Sequence, residues 1–380
     1  MGSWSATALW MWAQQAFGPG SPTPWHIHKT FPGGLEGFYR EGPRCWNRLD
    51  YVSEVQAEAL AAVTVEEAGL RLEYAMKLGW QVVTPECEQY PRELRNISDP
   101  PAVLYSKGAP LSELTGPKVA LVGARKALPG SMDAARSIGY QIATAGGVVV
   151  TGEAPGVDGC AMEGVISAGG RAVCVLAVDL GSAYMAKTCH LRRRVAELGG
   201  AVITEHFSQS GPVHGSFHVR NRIITGLCPK VVLVQAAQKS GTMIYARHAA
   251  KQGRKLYVFP GPEGEEFAGS RRLLEEGAIP VHSGGEVLGT DRRLNVGAPK
   301  RPEAEEPPEE KAPPKAKTGG LPQEQQAVLD RLEAGPLTVD ELADGLGRDA
   351  AGLLRLLTVM ELKGLVSSAP GRRYTKPGGR

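Results

Sequence analysis

The stretch VALVGARKALPG, residues 119–130, decides the fold. A continuous apolar run, suited to a strand buried on both faces, passes directly into a glycine turn carrying a basic pair and then into a helical pattern. Working outward, the same unit recurs. GVVVT (147–151), AVCVLAV (172–178), AVIT (201–204), VVLVQA (231–236) and LYVF (256–259) are each separated by helix-length segments. Between about residues 117 and 289 the pattern predicts an α/β fold with a doubly wound, mostly parallel sheet.

The chain's 380 residues exceed one ordinary core and suit two or three. Glycine at 48 and proline at 28 are both high, which implies many tight turns and a linker. Residues 291–319, largely the run GAPKRPEAEEPPEEKAPPKAKTGG, hold too few aromatic and β-branched side chains to bury a core and are expected to be a disordered linker. Helical patterns at 323–332, 337–346 and 350–365 follow, then a polar hairpin ending in RRYTKP, the outline of a winged helix over residues 320–380. Helical stretches at 6–17, 55–61 and 64–78 predict a small helical domain over residues 1–80, leaving 81–290 for the sheet domain. The apolar N-terminus has no basic residue before Lys29 and no long uninterrupted run, so it fits a core helix better than a signal peptide or a membrane span. Six cysteines without a CxxC pair or zinc-type spacing point to free thiols in a reducing cytosol and to no metal site.

Three strands run into glycine-containing loops that precede helices. VALVGARKALPG supplies Gly123 and Arg125, VVVTGEAPGVDG supplies Gly152, Gly156 and Asp158, and VVLVQAAQKSGTM supplies Ser240, Gly241 and Thr242. In a parallel sheet such loops gather at the carboxyl ends of the strands, where glycine lets backbone approach a phosphate and a helix start offers free N–H groups. The alternative for any one loop taken alone is that its glycines serve only as turns, the lesser of the two readings. No loop ends in Gly-Lys-Ser/Thr and none is a clean GxGxxG, so nucleotide hydrolysis and dinucleotide binding are poorly supported. Residues 117–290 hold 19 Lys and Arg against 13 Asp and Glu, an excess of six where the whole chain carries only +3. In FHVRNRIITGL, Arg220 and Arg222 present two guanidinium forks suited to bidentate phosphate contact, although either arginine alone fits a surface or capping role.

Signatures of catalysis are missing: HExxH, GxSxG and paired-carboxylate motifs do not occur. His26 and His28 read as ordinary polar residues, and His190, His206, His214 and His218 fall near the presumed ligand side. Ser240, followed by glycine at a helix start, fits an N-cap as well as a nucleophile.

In order and spacing, these motifs resemble the DNA-processing protein A family, DprA or Smf. The resemblance covers about residues 84–290: TPECEQYPRELRNISDPPAVLYSKG (84–108), VALVGAR, TGEAPGVDG, RNRIITGL (220–227) and SGTMIYARHAAKQGRKLYVFPG (240–261). It implies an extended Rossmann-like domain, a SAM-like helical domain before it and a winged helix after it. It also implies a cytoplasmic homodimer, not an enzyme and without a cofactor, that binds single-stranded DNA, protects strands entering in natural transformation and helps load the RecA recombinase. The DNA-contacting residues it implies here are Gly123, Arg125, Gly152, Gly156, Phe217, Arg220, Arg222, Ser240 and Gly241. Phe217 has a rationale of its own, because an aromatic face near arginines stacks a base for roughly 1–3 kcal/mol; its plain alternative is a core phenylalanine. Four positions depart from the family pattern: Met162 for histidine, Met185 for proline, Gln235 for glutamate and Tyr245 for threonine.

Two other classes compete. A Rossmann-like nucleotide-processing enzyme of the phosphoribohydrolase kind shares the fold outline, but its PGGxGT arrangement is absent, the nearest strings being PGG at 32–34 and SGT at 240–242. A winged-helix regulator of duplex DNA needs a basic recognition helix, whereas residues 320–380 balance 8 Lys and Arg against 8 Asp and Glu. That neutrality favours a protein contact or modulation of a dimer for the last domain.

Overall fold

The structure is a computed structural model and describes residues 5–182, 188–207, 215–290, 323–348, 353, 356–357, 360–361, 365–369 and 373–376. Six helices come first: α1 (Ala6–Phe17), α2 (Thr23–Thr30), α3 (Gly34–Glu41), α4 (Pro43–Trp46), α5 (Glu54–Ala62) and α6 (Val65–Lys77). Reciprocal capping boxes, Ser53 with Gln56 and Thr64 with Glu67, satisfy the first N–H groups of α5 and α6 and fix where each begins.

Nine strands then form one sheet: β1 (Gln81–Val83), β2 (Leu104–Gly108), β3 (Lys118–Gly123), β4 (Val148–Thr151), β5 (Arg171–Val175), β6 (Ala201–Thr204), β7 (Lys230–Val234), β8 (Lys255–Phe259) and β9 (Ile279–Pro280). Their order is β1-β2-β6-β5-β4-β3-β7-β8-β9. Every pairing from β6 to β9 is parallel, and only β1 with β2 and β2 with β6 are antiparallel. The six expected strands are all present; β1, β2 and β9 have no counterpart among them, being short or lacking a continuous apolar run.

The helices of this region are α7 (Arg92–Arg95), α8 (Pro129–Thr144), α9 (Val157–Ser167), α10 (Cys189–Glu197), α11 (Ser216–Gly226), α12 (Met243–Lys251), α13 (Ala268–Glu275) and α14 (Gly284–Leu288). Successive strand residues point to opposite faces. Val119 and Leu121 pack with α8, α9, α10 and α14, while Ala120 and Val122 join a second core with α11, α12 and the N-terminal helices. That second core runs without a break from Trp10 and Trp12 to the sheet. Gln14 ties α1 in further: its Nε2 donates to the Glu205 carbonyl at 2.8 Å and its Oε1 accepts from Val103 N–H at 2.7 Å. Both tryptophans are fully buried, so truncating either to alanine would remove about 3–5 kcal/mol.

At the C-terminal end, α15 (Gln323–Arg331), α16 (Val339–Leu346) and the strands β10 (Leu337–Thr338), β11 (Ser367–Ala369) and β12 (Arg373–Thr375), in order β10-β12-β11, enclose a separate small core. The expected helix at 350–365 falls largely outside the described residues, but its Leu353, Leu357 and Met360 are buried in that core at helical spacing. No helix among the described residues is long and apolar enough to cross a membrane.

Strand β3 is flanked by β4 on one side and β7 on the other, so the chain turns opposite ways at the carboxyl ends of β3 and β7. This is the crevice in which an open parallel sheet holds its ligand.

Candidate nucleic-acid interface

The three glycine loops meet at this crevice, and three of their glycines are required by close neighbours. A Cβ on Gly123 would lie 2.0 Å from the Val234 carbonyl of β7. A Cβ on Gly152 would lie 2.5 Å from Asp158 Oδ2 and 2.6 Å from Arg220 Nη1. Gly156 has φ +85° and would push a Cβ to within 2.4 and 2.5 Å of the Ala124 and Arg125 carbonyls. These three positions therefore pack loop against loop, a role the sequence leaves indistinguishable from close approach to phosphate. Gly241 differs, since nothing lies within 4 Å of its would-be Cβ. Beside it, Ser240 Oγ is buried without a hydrogen-bond partner, and α12 begins without a side-chain cap, so Ser240 is not the N-cap that its position suggests.

Arg125 stands exposed on the first loop, its guanidinium carbon 4.4 Å from the centre of the Phe217 ring on the first turn of α11. Phe217 is half-buried rather than a core residue. Arg220, one turn further along α11, approaches the same ring at 6.0 Å and is only 4% exposed. Its Nη1 donates to the Val175 carbonyl at the end of β5, and its Nε to Asn221 Oδ1 at 3.2 Å. Arg220 is thus a fixed charge beneath the surface, and Arg125 the exposed fork above it.

Two carboxyl groups lie under the loops. Burial raises Asp158 to about 6, opposed by the Arg220 charge and by backbone N–H groups of Gly123 and Ala154. Burial likewise raises Glu153 to about 7 against the pull of Arg192 and Arg220; Arg192 Nη1 reaches its Oε2 at 3.2 Å. The sequence pointed to none of the Glu153–Arg192 pair. A carboxylate inside a loop otherwise built for anions, at Glu153 of TGEAPG, is the one local sign of it.

Arg222 requires a correction. It is 1% exposed, with Nη2 2.8 Å from Glu205 Oε1 and Nε 3.4 Å from Asp99 Oδ2, and this network ties α11 to the end of β6. Arg220 and Arg222 therefore do not form a pair of forks facing one ligand: two residues apart on a helix, they point about 200° apart. Among the histidines, His206 is buried and held down to about 4 by burial and by Arg222, so it stays neutral. His190 and His218 are exposed, and His214 lies outside the described residues. Among the described residues no cluster of His, Cys, Asp and Glu could hold a metal ion.

The departures from the family pattern acquire physical roles. Gln235 adopts φ +62°, a conformation costing roughly 1–2 kcal/mol for a non-glycine residue. Its Oε1 accepts from Leu128 N–H at 2.8 Å while its Nε2 donates to the Lys126 carbonyl at 3.4 Å, a double clasp that a glutamate could not complete. Tyr245 is buried near Arg220, whose charge opposes the rise that burial imposes on its hydroxyl, and Met162 is a fully buried core residue. Met185 lies outside the described residues.

The sequence profile of the DNA recombination-mediator protein A family matches residues 81–290, the stretch that carries all three loops. This chain belongs to that family. The profile of the DprA winged helix domain matches residues 301–372 of this family member. Among curated relatives, Protein Smf of Synechocystis is 32% identical over 329 residues, covering 78% of this chain and 80% of its own. DNA processing protein DprA of Bacillus subtilis is 32% identical over 211 residues, 55% of this chain and 71% of its own. The solved DprA of Streptococcus pneumoniae superposes with a TM-score of 0.61 at 23% identity, over 76% of this chain and 98% of its own, which bears on the fold.

Proposed function

We propose that this family member binds single-stranded DNA across the β3–β7 crevice by positioning and electrostatics, without catalysing a reaction on it. The observation that carries the proposal is the Arg125–Phe217 pair: a phosphate-binding fork and a base-stacking face sit 4.4 Å apart on two elements locked by the glycine contacts. A single strand presents unstacked bases beside a charged backbone without the cost of extruding them from a duplex. Gly123, Gly152 and Gly156 hold the loops, Arg220 supplies the buried positive charge, and Ser240 with Gly241 opens α12 to a second phosphate. Arg222 acts through the placement of α11.

The family resemblance supports the wider role: a cytoplasmic homodimer that protects strands during natural transformation and helps load RecA, with the winged helix making protein contacts. The enzyme alternative is disfavoured by the site's own carboxylates, because Glu153 and Asp158 are buried against arginines rather than presented to a substrate. The PGG string, meanwhile, belongs to the start of α3, not to a sheet loop. The test is a mobility-shift comparison of single-stranded and duplex DNA at two salt concentrations. Tighter binding of the single strand, weakening with salt, is expected; preference for duplex would overturn the proposal.

A further inference from the structure

A cleft of about 470 Å³ opens beside the second loop, lined by residues of α8, α9 and α10. Gly156, Gly159 and Cys160 form one part of its lining, and Met132 and Leu191 add apolar surface. The charged groups are organised around Arg136, and Thr188 and His190 complete the polar lining. Arg136 Nε and Nη2 donate to Glu163 Oε2 at 3.1 and 2.8 Å, its Nη1 to Asp133 Oδ1 at 2.8 Å, and its Nη2 also to Cys160 Sγ at 3.5 Å.

This arrangement is the reverse of a phosphate site. One guanidinium is taken up by two carboxylates, so Arg136, Asp133 and Glu163 together leave a net charge of −1. What the cleft offers a ligand is apolar surface for a flat ring and carboxylate oxygens as acceptors. A phosphate is repelled there, whereas an exocyclic amino group is matched. The cleft adjoins the mouth of the crevice, since Gly156 lines it and packs on the Arg125 carbonyl.

We propose that this cleft is a base subsite that selects nucleobases carrying an exocyclic amino group, with Glu163 and Asp133 accepting from that group and Arg136 holding both carboxylates in place. The proposal deepens the single-strand reading above and rests on it. Thymine fits worst, because its one edge donor, N3–H, is flanked by two carbonyl acceptors that face the carboxylates.

The experiment measures affinities of the full-length protein for oligo(dC) and oligo(dT) of equal length, taken as a ratio within each protein. E163Q removes a negative charge and raises affinity for both strands, so only the ratio is diagnostic. The dC-to-dT ratio is expected to fall about tenfold in E163Q, the size of one base-specific contact. Gly159→Ala is the second variant: a Cβ there meets only ordinary contacts, the nearest being the Ala154 carbonyl at 3.5 Å, so the fold tolerates it while the cleft narrows. It should lower the ratio likewise. A ratio unchanged in both variants overturns the subsite while leaving single-strand binding standing. Failure to bind either strand overturns both.

Discussion

Arg125 lays its guanidinium against the face of Phe217, 4.4 Å from the ring centre, and so joins the loop after β3 to the first turn of α11. The contact pre-positions the two chemistries that a single strand requires, at a site where Gly156 fixes the backbone on which Arg125 is mounted.

Replacing Arg125 with alanine should weaken all single strands by about 1–3 kcal/mol, largely independent of sequence. The slope of log affinity against log salt should fall by about 0.7. Arg125→Lys should give an intermediate affinity, restoring charge but not the bidentate fork. Phe217→Leu should cost roughly 1–3 kcal/mol with the salt slope retained, since it removes stacking and no charge. Salt titrations by anisotropy distinguish the two; an unchanged slope in Arg125→Ala would end the claim of direct phosphate contact.

Gly156→Ala should both destabilise the protein and lower DNA affinity, because its Cβ meets the Ala124 and Arg125 carbonyls and its φ is +85°. Gly241→Ala, which meets nothing within 4 Å, should leave the melting temperature nearly unchanged. Thermal melts of the two variants side by side check this contrast.

Arg222→Met should cost about 3–5 kcal/mol of stability by stranding Glu205, 3% exposed, without its partner. The salt slope of DNA binding by the remaining folded protein should stay at the wild-type value. A reduced slope would instead place Arg222 on the DNA.

The raised Glu153 carboxyl links stability to pH. Its value rises from an ordinary 4.5 to about 7 in the fold, so the folded state holds a proton that the unfolded chain has released, and stability declines as pH rises across that window. Asp158, raised from 3.8 to about 6, adds in the same direction. Glu153→Gln should flatten the decline and be most favourable relative to wild type above about pH 7. Denaturant unfolding of both proteins at a series of pH values measures this; because His206, held down to about 4, pulls the other way in the same window, the difference between Glu153→Gln and wild type is the readout, and a difference that stays constant between pH 5 and 7 would contradict it.

A chain ending at residue 290 is expected to fold and to keep single-strand affinity within about tenfold, or roughly 1.4 kcal/mol, whereas a chain beginning at residue 81 should not fold, since it lacks one wall of the core that Trp10 and Trp12 share with the sheet. Circular dichroism and anisotropy of the two truncations decide it.

How much of this was legible in the sequence depended on how local the cause was. The six central strands, the three glycine loops and the helices at 6–17, 54–62 and 65–77 follow from apolar periodicity, turn residues and caps within a few positions of each element. The motif order carried the family. Contacts between distant segments could not be read that way. Arg220 and Arg222 are alike in sequence, yet helical geometry turns one toward the Phe217 ring and the other into a buried network with Glu205 and Asp99. The glycines of the loops read as ligand-facing, but at Gly123 and Gly156 the need for a missing Cβ comes from carbonyls more than twenty residues away, as Gly156 against Ala124 illustrates. Residues 1–80 read as a unit of their own, and only packing reveals that their tryptophans and Gln14 complete the face of a sheet formed far along the chain. Local sequence determined the elements, because hydrogen bonding and propensity act between near neighbours; which side chains are buried, paired or left facing the ligand was decided by the tertiary structure, because burial and charge pairing depend on what the fold brings close from afar.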